Sequence, residues 1–130
     1  MALMSFREAN QVLWRGCRPA HNGTQVVASL GKENGNGVLY TVPVGNTLFL
    51  TSFSVNLGLI AVGIADFYVR NGLAVYQYRL FRSSPQATDG TKHYGLSFAF
   101  PIEVPATYDF FLTSSAAGLY IDALITGWVE

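Results

Sequence analysis

Hydrophobic and polar residues alternate at every second position over most of the chain after residue 37. From Phe49 onward one face carries Phe49, Thr51, Phe53, Val55 and Leu57, and the other carries Leu50, Ser52, Ser54 and Asn56. This period of two, with many β-branched and aromatic residues, indicates strands rather than helices. The pattern predicts strands near 38–43, 47–57, 63–70, 73–82, 92–100, 102–104, 108–114 and 119–129.

Turn signals separate these strands. Asn71-Gly72 lies between two apolar runs. It predicts a two-residue type I′ hairpin turn, because both residues tolerate positive φ. Pro101 and Pro105 bracket a short strand, since proline lacks the backbone donor that a sheet ladder needs. Eight short strands with turn signals about every ten residues predict an all-β sandwich.

The first 36 residues follow a different pattern. They contain interspersed charges, Gly and Asn, and one possible strand at 24–30. We therefore predict an N-terminal arm over 1–36, extended apart from that strand, and an eight-stranded antiparallel jelly-roll sandwich over 37–130. Removing residues 1–30 is expected to leave the sandwich folded and to disturb assembly or attachment.

Two segments of the chain have nearly the same sequence. Residues 42–52 are VPVGNTLFLTS and residues 104–114 are VPATYDFFLTS, 62 positions later. We interpret them as equivalent corners of two Greek keys, as in a jelly roll, where a strand ends at Val-Pro and the chain turns into Phe-Leu-Thr-Ser. The strands that follow the two corners are expected to be antiparallel neighbours in one sheet. Chance similarity of two strand-rich segments is the alternative.

The composition favours assembly over a solitary monomer. A length of 130 residues suits one domain. Only 12% of the residues are charged, against about 25% in an ordinary soluble domain. No apolar run is long enough for a transmembrane helix, so neighbouring subunits are expected to cover the apolar surface. Eight cations balance eight anions, which gives no sign of a nucleic acid or membrane partner.

The sequence shows no recognisable catalytic or metal-binding arrangement. The two histidines, His21 and His93, have no neighbouring ligands at metal-site spacing. Asp66, Asp109 and Asp122 each fall within a predicted strand and are interpreted as residues of solvated faces. Two carboxylates could still meet across strands as a general acid and base. We predict that the protein is not an enzyme and uses no cofactor or metal.

Two groups of residues are candidate contacts. Four residues in the predicted arm are candidates for assembly or attachment: Trp14, Arg15, Arg18 and His21. Tyr76 and Tyr78 share one face of a predicted strand, opposite Gln77 and Arg79. Such a row of aromatic rings could stack on a sugar, whereas a role in the core or in a subunit contact is the favoured alternative.

Four segments of the sequence resemble small jelly-roll structural proteins of tailed bacteriophages. They are NQVLWRGCRPAHNGT, LYTVPVGNTLFLTS, FAFPIEVPATYDFFLTSS and ITGWVE. The resemblance covers most of residues 9–130 and is strongest at the two Val-Pro corners and at Gly127-Trp128. Proteins of this kind decorate capsids or build head fibres and tail parts. They are usually trimers that an N-terminal arm fastens to the particle.

The resemblance implies a function in the virion for a protein made in the host cytoplasm. The expected partners are other copies of the chain and a phage capsid or tail protein. The resemblance transfers no active site. A carbohydrate-binding or adhesin module that recognises host-surface glycans is the alternative, and a cupin-like or glycosidase-like enzyme is a third possibility.

Overall fold

The computed structural model describes residues 23–59, 61–86 and 89–130. The described residues form eight strands: β1 Thr24–Glu33, β2 Gly35–Thr41, β3 Leu48–Leu59, β4 Ala65–Arg70, β5 Tyr76–Ser83, β6 Lys92–Val104, β7 Asp109–Ser114 and β8 Tyr120–Val129. No helix in this part of the chain is long and apolar enough to cross a membrane. Because every regular element of the described residues is a strand, the prediction of an all-β protein is confirmed.

The eight strands form two antiparallel sheets of four strands each. Sheet A has the order β1-β8-β3-β6, and sheet B has the order β2-β7-β4-β5. One face of each sheet is apolar because its strands alternate, and the two apolar faces enclose the core. Phe67 of sheet B has its ring 6.1 Å from that of Phe53 of sheet A and 6.1 Å from that of Phe110. Burying each such side chain stabilises the fold by about 1.5–3 kcal/mol.

The possible strand at 24–30 is present and is longer than expected. All ten residues of β1 pair with β8, from Thr24 opposite Val129 to Glu33 opposite Tyr120. Val26 is buried, and Leu30 packs against the core. The sandwich therefore includes residues from Thr24 onward, which lie before the predicted boundary at 37. The expectation that removal of residues 1–30 leaves the sandwich folded is at odds with this arrangement, because the deletion takes away most of an edge strand.

The two strands predicted at 92–100 and 102–104 are one strand, β6. Leu50 of β3 pairs with Ile102, but Ser52 pairs with Ser97, so residues 98–101 leave the ladder opposite the single residue Thr51. Pro101 lies within this bulge, where its missing N–H removes no ladder hydrogen bond. Proline was thus compatible with a continuous strand, because β6 is an edge strand and is locally out of register.

The hairpin predicted at Asn71-Gly72 exists, but its turn is different. Asn71 N donates to the carbonyl oxygen of Val75 at 2.9 Å, and Ala74 N donates to that of Asn71 at 2.9 Å. The loop therefore holds three residues, and the positive φ lies at Ala74 (60°). The Asn71 side chain accepts hydrogen bonds from the N–H groups of Leu73 and Val75. This side-chain bonding and the extra residue displace the predicted type I′ geometry.

The repeated Val-Pro segments form two turns of the same shape. The turn 43–46 is closed by a 3.1 Å hydrogen bond between its ends, and the turn 105–108 by one of 3.3 Å. The third residue of each turn has positive φ, 82° at Gly45 and 72° at Thr107. Positive φ at this position is typical of a type II turn. The two segments are thus alike in backbone conformation as well as in sequence.

The two corners also touch each other. Val42 N donates to the carbonyl oxygen of Tyr108 at 2.8 Å, and Thr107 N donates to that of Val42 at 2.9 Å. Each corner takes the chain from one sheet to the other, from β2 to β3 and from β6 to β7. The strands after the corners therefore lie in different sheets, and the expectation that they are neighbours in one sheet was wrong.

A relation between the two sheets explains this result. Each strand of sheet A can be replaced by the strand four places later in the chain, with the count returning to β1 after β8. The order β1-β8-β3-β6 then becomes β5-β4-β7-β2, which is the order of sheet B in reverse. The internal symmetry therefore exchanges the sheets and does not relate strands within one sheet. Under this exchange the corner after β2 corresponds to the corner after β6, so the repeated segments occupy equivalent positions.

Candidate functional site

The sandwich is closed along one side and apolar along the other. On the closed side, β1 and β2 lie against each other and are joined at Asn34, which has a φ of 47°. On the other side, β5 and β6 are the edge strands. Tyr94 and Leu96 of β6 pair with the buried residues Val55 and Phe53 and so point towards sheet B. Both nevertheless remain 43% exposed, because sheet B does not extend far enough to cover them.

More apolar side chains continue this strip at the end of the sandwich where the corners lie. Strand β5 begins at this end and β6 finishes there, as their pairing with β4 and β3 shows. Phe100 of β6 is 73% exposed and Leu73 of the hairpin loop is 85% exposed. We name the strip the open side, and it consists of Leu73, Val75, Tyr76, Tyr94, Leu96 and Phe100.

Aromatic rings close the core just inside the open side. The Tyr94 ring lies 5.9 Å from the Phe53 ring and 5.8 Å from the Phe81 ring, which belongs to the opposite sheet. Phe98 adds a contact with Phe53 at 6.1 Å. Tyr94 therefore has two roles, because one part of its ring completes the core and the other part is exposed on the surface.

Tyr76 and Tyr78 lie on opposite faces of β5. Tyr76 pairs with Arg70 and Tyr78 pairs with Val69, so Gln77 is an extra residue between two consecutive pairs. This β-bulge reverses the alternation. The Tyr78 ring packs against the core, whereas the Tyr76 ring is on the outer face, 5.7 Å from the ring of Tyr68. The predicted row of two tyrosines on one face is therefore wrong.

The Tyr78 hydroxyl is buried and has no hydrogen-bond partner among the described residues. Burial raises the pKa of Tyr78, because the phenolate would lose its hydration. The Tyr78 ring thus fills space between the sheets, but its hydroxyl is left without a hydrogen bond to any described residue, which destabilises the fold.

Two ion pairs organise the outer face of sheet B. Arg70 binds Asp109 through Nε–Oδ1 and Nη2–Oδ2 distances of 2.8 and 2.7 Å. Arg79 Nε lies 2.8 Å from Asp66 Oδ1. The Arg70 guanidinium also lies 3.8 Å from the centre of the Phe111 ring. The hydrogen bond to Asp109 raises the pKa of Arg70. Both carboxylates are held by arginines, which fits a structural role better than the paired acid and base considered from the sequence.

A second polar group lies on the outer face of sheet A. His93 Nδ1 and Asn56 Oδ1 are 2.5 Å apart, and Asn56 Nδ2 donates to Asp122 Oδ1 at 3.0 Å. His93 and Asp122 are thus connected only through an amide, which transfers no proton readily. Within the described ranges, no three His, Cys, Asp or Glu residues converge as metal ligands would.

A shallow depression of about 380 Å³ lies at the end of sheet B away from the Val-Pro corners. It is lined by Asn34, Gly35, Asn36, Ile64, Thr113, Ser114 and Ser115. Its lining, all within the described residues, offers hydroxyl, amide and backbone groups but no ionisable side chain. Ser114 is already engaged, because its hydroxyl donates to the carbonyl oxygen of Leu119 at 2.5 Å. The depression therefore carries no evident chemistry.

The predicted attachment residues Trp14, Arg15, Arg18 and His21 lie outside the described residues. The open side was not predicted from the sequence. One signal was available, because Leu73 and Val75 are apolar residues at a turn. Only their backbone groups take part in the hydrogen bonds of the turn, so the turn itself does not explain why their side chains are apolar.

No model of a known protein family matches the chain. A search of the curated proteins finds no match either.

Proposed function

We propose that this protein is a non-enzymatic structural subunit of a tailed bacteriophage particle, a homotrimer with a jelly-roll fold. Eight strands in two four-stranded antiparallel sheets, in the orders β1-β8-β3-β6 and β2-β7-β4-β5, support the jelly-roll assignment. The exchange of the two sheets by a shift of four strands supports it further, because two equivalent Greek keys produce such a symmetry. The resemblance of the two Val-Pro segments to phage proteins supports a location of this protein in the virion.

The exposed apolar surface is the observation that carries the proposal. Twelve large hydrophobic side chains are exposed among the described residues, in a chain with only 12% charged residues. Six of these side chains form the open side, and an exposed apolar patch of this kind often marks an interaction surface. A subunit that packs against copies of itself and against a larger particle would bury this surface.

The N-terminal segment is proposed to attach the subunit to the particle. Residues 1–22 precede β1, which starts at the end of the sandwich where the Val-Pro corners lie. A segment of 22 residues reaches up to about 70 Å when extended. Trp14, Arg15, Arg18 and His21 supply aromatic and basic groups for a contact with a capsid or tail protein.

The first test is the mass of the purified chain by size-exclusion chromatography with light scattering. A mass of three times 14.2 kDa is expected, and a monomer at high micromolar concentration would contradict the proposal. Gold-labelled antibodies should then locate the protein on particles of a phage that encodes it. Absence of label from intact and disrupted particles would exclude a virion protein.

A pair of deletions separates attachment from folding. Removal of residues 1–22 should leave the thermal unfolding temperature nearly unchanged and abolish binding to particles that lack the protein. Removal of residues 1–30 should lower that temperature strongly, because it takes Val26 and Leu30 from the core. If the shorter deletion still binds particles at full strength, the N-terminal segment is not the attachment element.

A further inference from the structure

We propose that the open side is the surface through which copies of this chain associate. The inference rests on the proposed function and assigns the subunit contact to Leu73, Val75, Tyr76, Tyr94, Leu96 and Phe100. Tyr94 and Leu96 are core-facing side chains of β6 that sheet B leaves partly uncovered, and Phe100 follows them on the same strand. Leu73, Val75 and Tyr76 lie in the hairpin and at the start of β5, the opposing edge strand.

The area of the open side is comparable with what a stable contact requires. Aromatic side chains present about 150–250 Å² each and leucine or valine somewhat less, so the exposed parts of these six sum to on the order of 500 Å². A standard interface buries about 800 Å² on each partner. The apolar strip therefore supplies more than half of one side, and the polar rim and exposed backbone of β6 supply the rest.

The geometry of β6 favours side-chain packing over an added strand. Residues 98–101 leave the ladder, and Pro101 has no N–H to offer a neighbour. A bulge and a proline hinder continuous strand pairing at an edge. The neighbouring copy is therefore expected to cover Phe100 and Leu96 with its own apolar side chains rather than to extend sheet A.

The charges around the strip favour a second copy over a different partner. The strip itself consists of uncharged side chains, and Lys92 beside it already lies 3.5 Å from Asp89. The same strip on a neighbouring copy can therefore cover it without burying an unpaired charge. The whole chain has eight positive and eight negative residues, and hence no net field to attract a strongly charged protein.

The test compares two substitutions on the open side with one outside it. Phe100→Lys and Leu73→Lys replace exposed residues, so the fold should survive, as circular dichroism and thermal unfolding can check. Val27→Lys is the matched control, because Val27 is 62% exposed on β1 at the opposite edge of sheet A. Light scattering of the full-length chain over a range of concentrations measures the association.

The expected result is a trimer for the unmodified chain and for Val27→Lys, and at least a tenfold weaker association for each open-side variant. Deletion of residues 1–22 should leave the trimer intact. If both folded open-side variants remain trimers, the inference is wrong while the proposed function stands. If the deletion yields monomers, the contact runs through the N-terminal segment and the inference is also wrong. A monomeric unmodified chain would contradict the proposed function itself.

Amide hydrogen exchange gives an independent check that does not depend on any variant. The amides of residues 92–97 should become at least tenfold better protected when the protein concentration is raised through the association range. Those of β1 should not change. Equal protection of both edges at all concentrations would overturn the inference.

Discussion

Arg70 and Asp109 form a two-pronged ion pair between neighbouring strands of sheet B, with N–O distances of 2.8 and 2.7 Å. Their side chains are only 17% and 14% exposed. The guanidinium also covers the Phe111 ring. An ion pair with this geometry and little solvent screening holds β4 against β7. By contrast, Lys92 and Asp89 lie 3.5 Å apart and are more exposed.

Removal of one partner from the partly buried Arg70–Asp109 pair should destabilise the fold. Asp109→Ala is expected to lower the free energy of unfolding by about 2 kcal/mol, because it leaves the Arg70 charge partly buried without its counter-ion. Arg70→Lys should lower the free energy of unfolding by nearly as much, because a lysine cannot form both hydrogen bonds to Asp109. Urea denaturation measures both changes. Lys92→Ala is the control, for which no measurable change is expected, and equal effects at the two pairs would refute this account.

Tyr78→Phe should stabilise the protein. The substitution removes a buried hydroxyl that has no partner within the described residues and keeps the ring that fills the core. We expect a gain of about 1 kcal/mol at pH 7 in urea denaturation. Tyr76→Phe, on the outer face of the same strand, is the control and should have little effect. A loss of stability in Tyr78→Phe would mean that the hydroxyl has a partner after all.

The pKa of Tyr78 makes the same variant informative at high pH. Burial raises this pKa above that of an unfolded tyrosine, which is about 10. The unfolded chain therefore loses its proton first, so stability is fully present below pH 10 and is lost as the pH rises above it. Burial also raises the pKa of Tyr40 and Tyr68. Tyr78→Phe should reduce the alkaline loss of stability without abolishing it, and identical pH profiles would contradict the prediction.

The requirement for glycine at position 72 is expected to arise from the close approach of Thr107 and not from the backbone conformation of Gly72. A Cβ atom added at Gly72 would lie 2.5 Å from Thr107 Oγ1, and Thr107 itself has a φ of 72°. Gly72→Ala should cost about 1–2 kcal/mol of unfolding free energy. The same substitution in a Thr107→Gly background should be nearly neutral, which gives a coupling of about 1 kcal/mol or more.

A second background controls for the shape of the Thr107 side chain. Thr107→Ser keeps both the hydroxyl and the Cβ atom that lie close to Gly72, so Gly72→Ala should remain costly there. Thermal or urea unfolding of the single and double variants completes the cycle. Additive effects of Gly72→Ala and Thr107→Gly would show that the β4–β5 hairpin loop and the turn 105–108 are not in steric contact.

Gly127 allows the close approach of β8 to β3. A Cβ atom at this position would overlap the carbonyl oxygen of Phe49, and the backbone has little room to move because Gly127 pairs with Leu50 on one side and Val26 on the other. Gly127→Ala is therefore expected to cost about 2–3 kcal/mol. Gly90→Ala is the control, because no described atom lies within 4 Å of its Cβ position. Similar unfolding temperatures for the two variants would contradict this explanation of why residue 127 is glycine.

Local sequence patterns specified where most strands lie and where the chain turns at the two Val-Pro corners. These features depend on local properties: alternation fixes which side chains share a face, and proline and glycine fix where the chain bends. The likeness of residues 42–52 and 104–114 correctly indicated two equivalent turns, with positive φ at Gly45 and at Thr107. The possible strand at 24–30 was also visible, because Val26, Ala28 and Leu30 alternate with polar or exposed neighbours.

Strand pairing and the exposure of the faces depend on contacts between distant segments of the chain. Gln77 has no partner on β4 and forms a bulge, so Tyr76 and Tyr78 lie on opposite faces of the sheet. The bulge is defined by the pairing with β4 and cannot be recognised from β5 alone. The bulge in β6 likewise depends on β3, and the exposure of Tyr94 and Leu96 depends on how far sheet B extends. Register and coverage are properties of two segments that are far apart in the chain, so alternation within one segment cannot specify them.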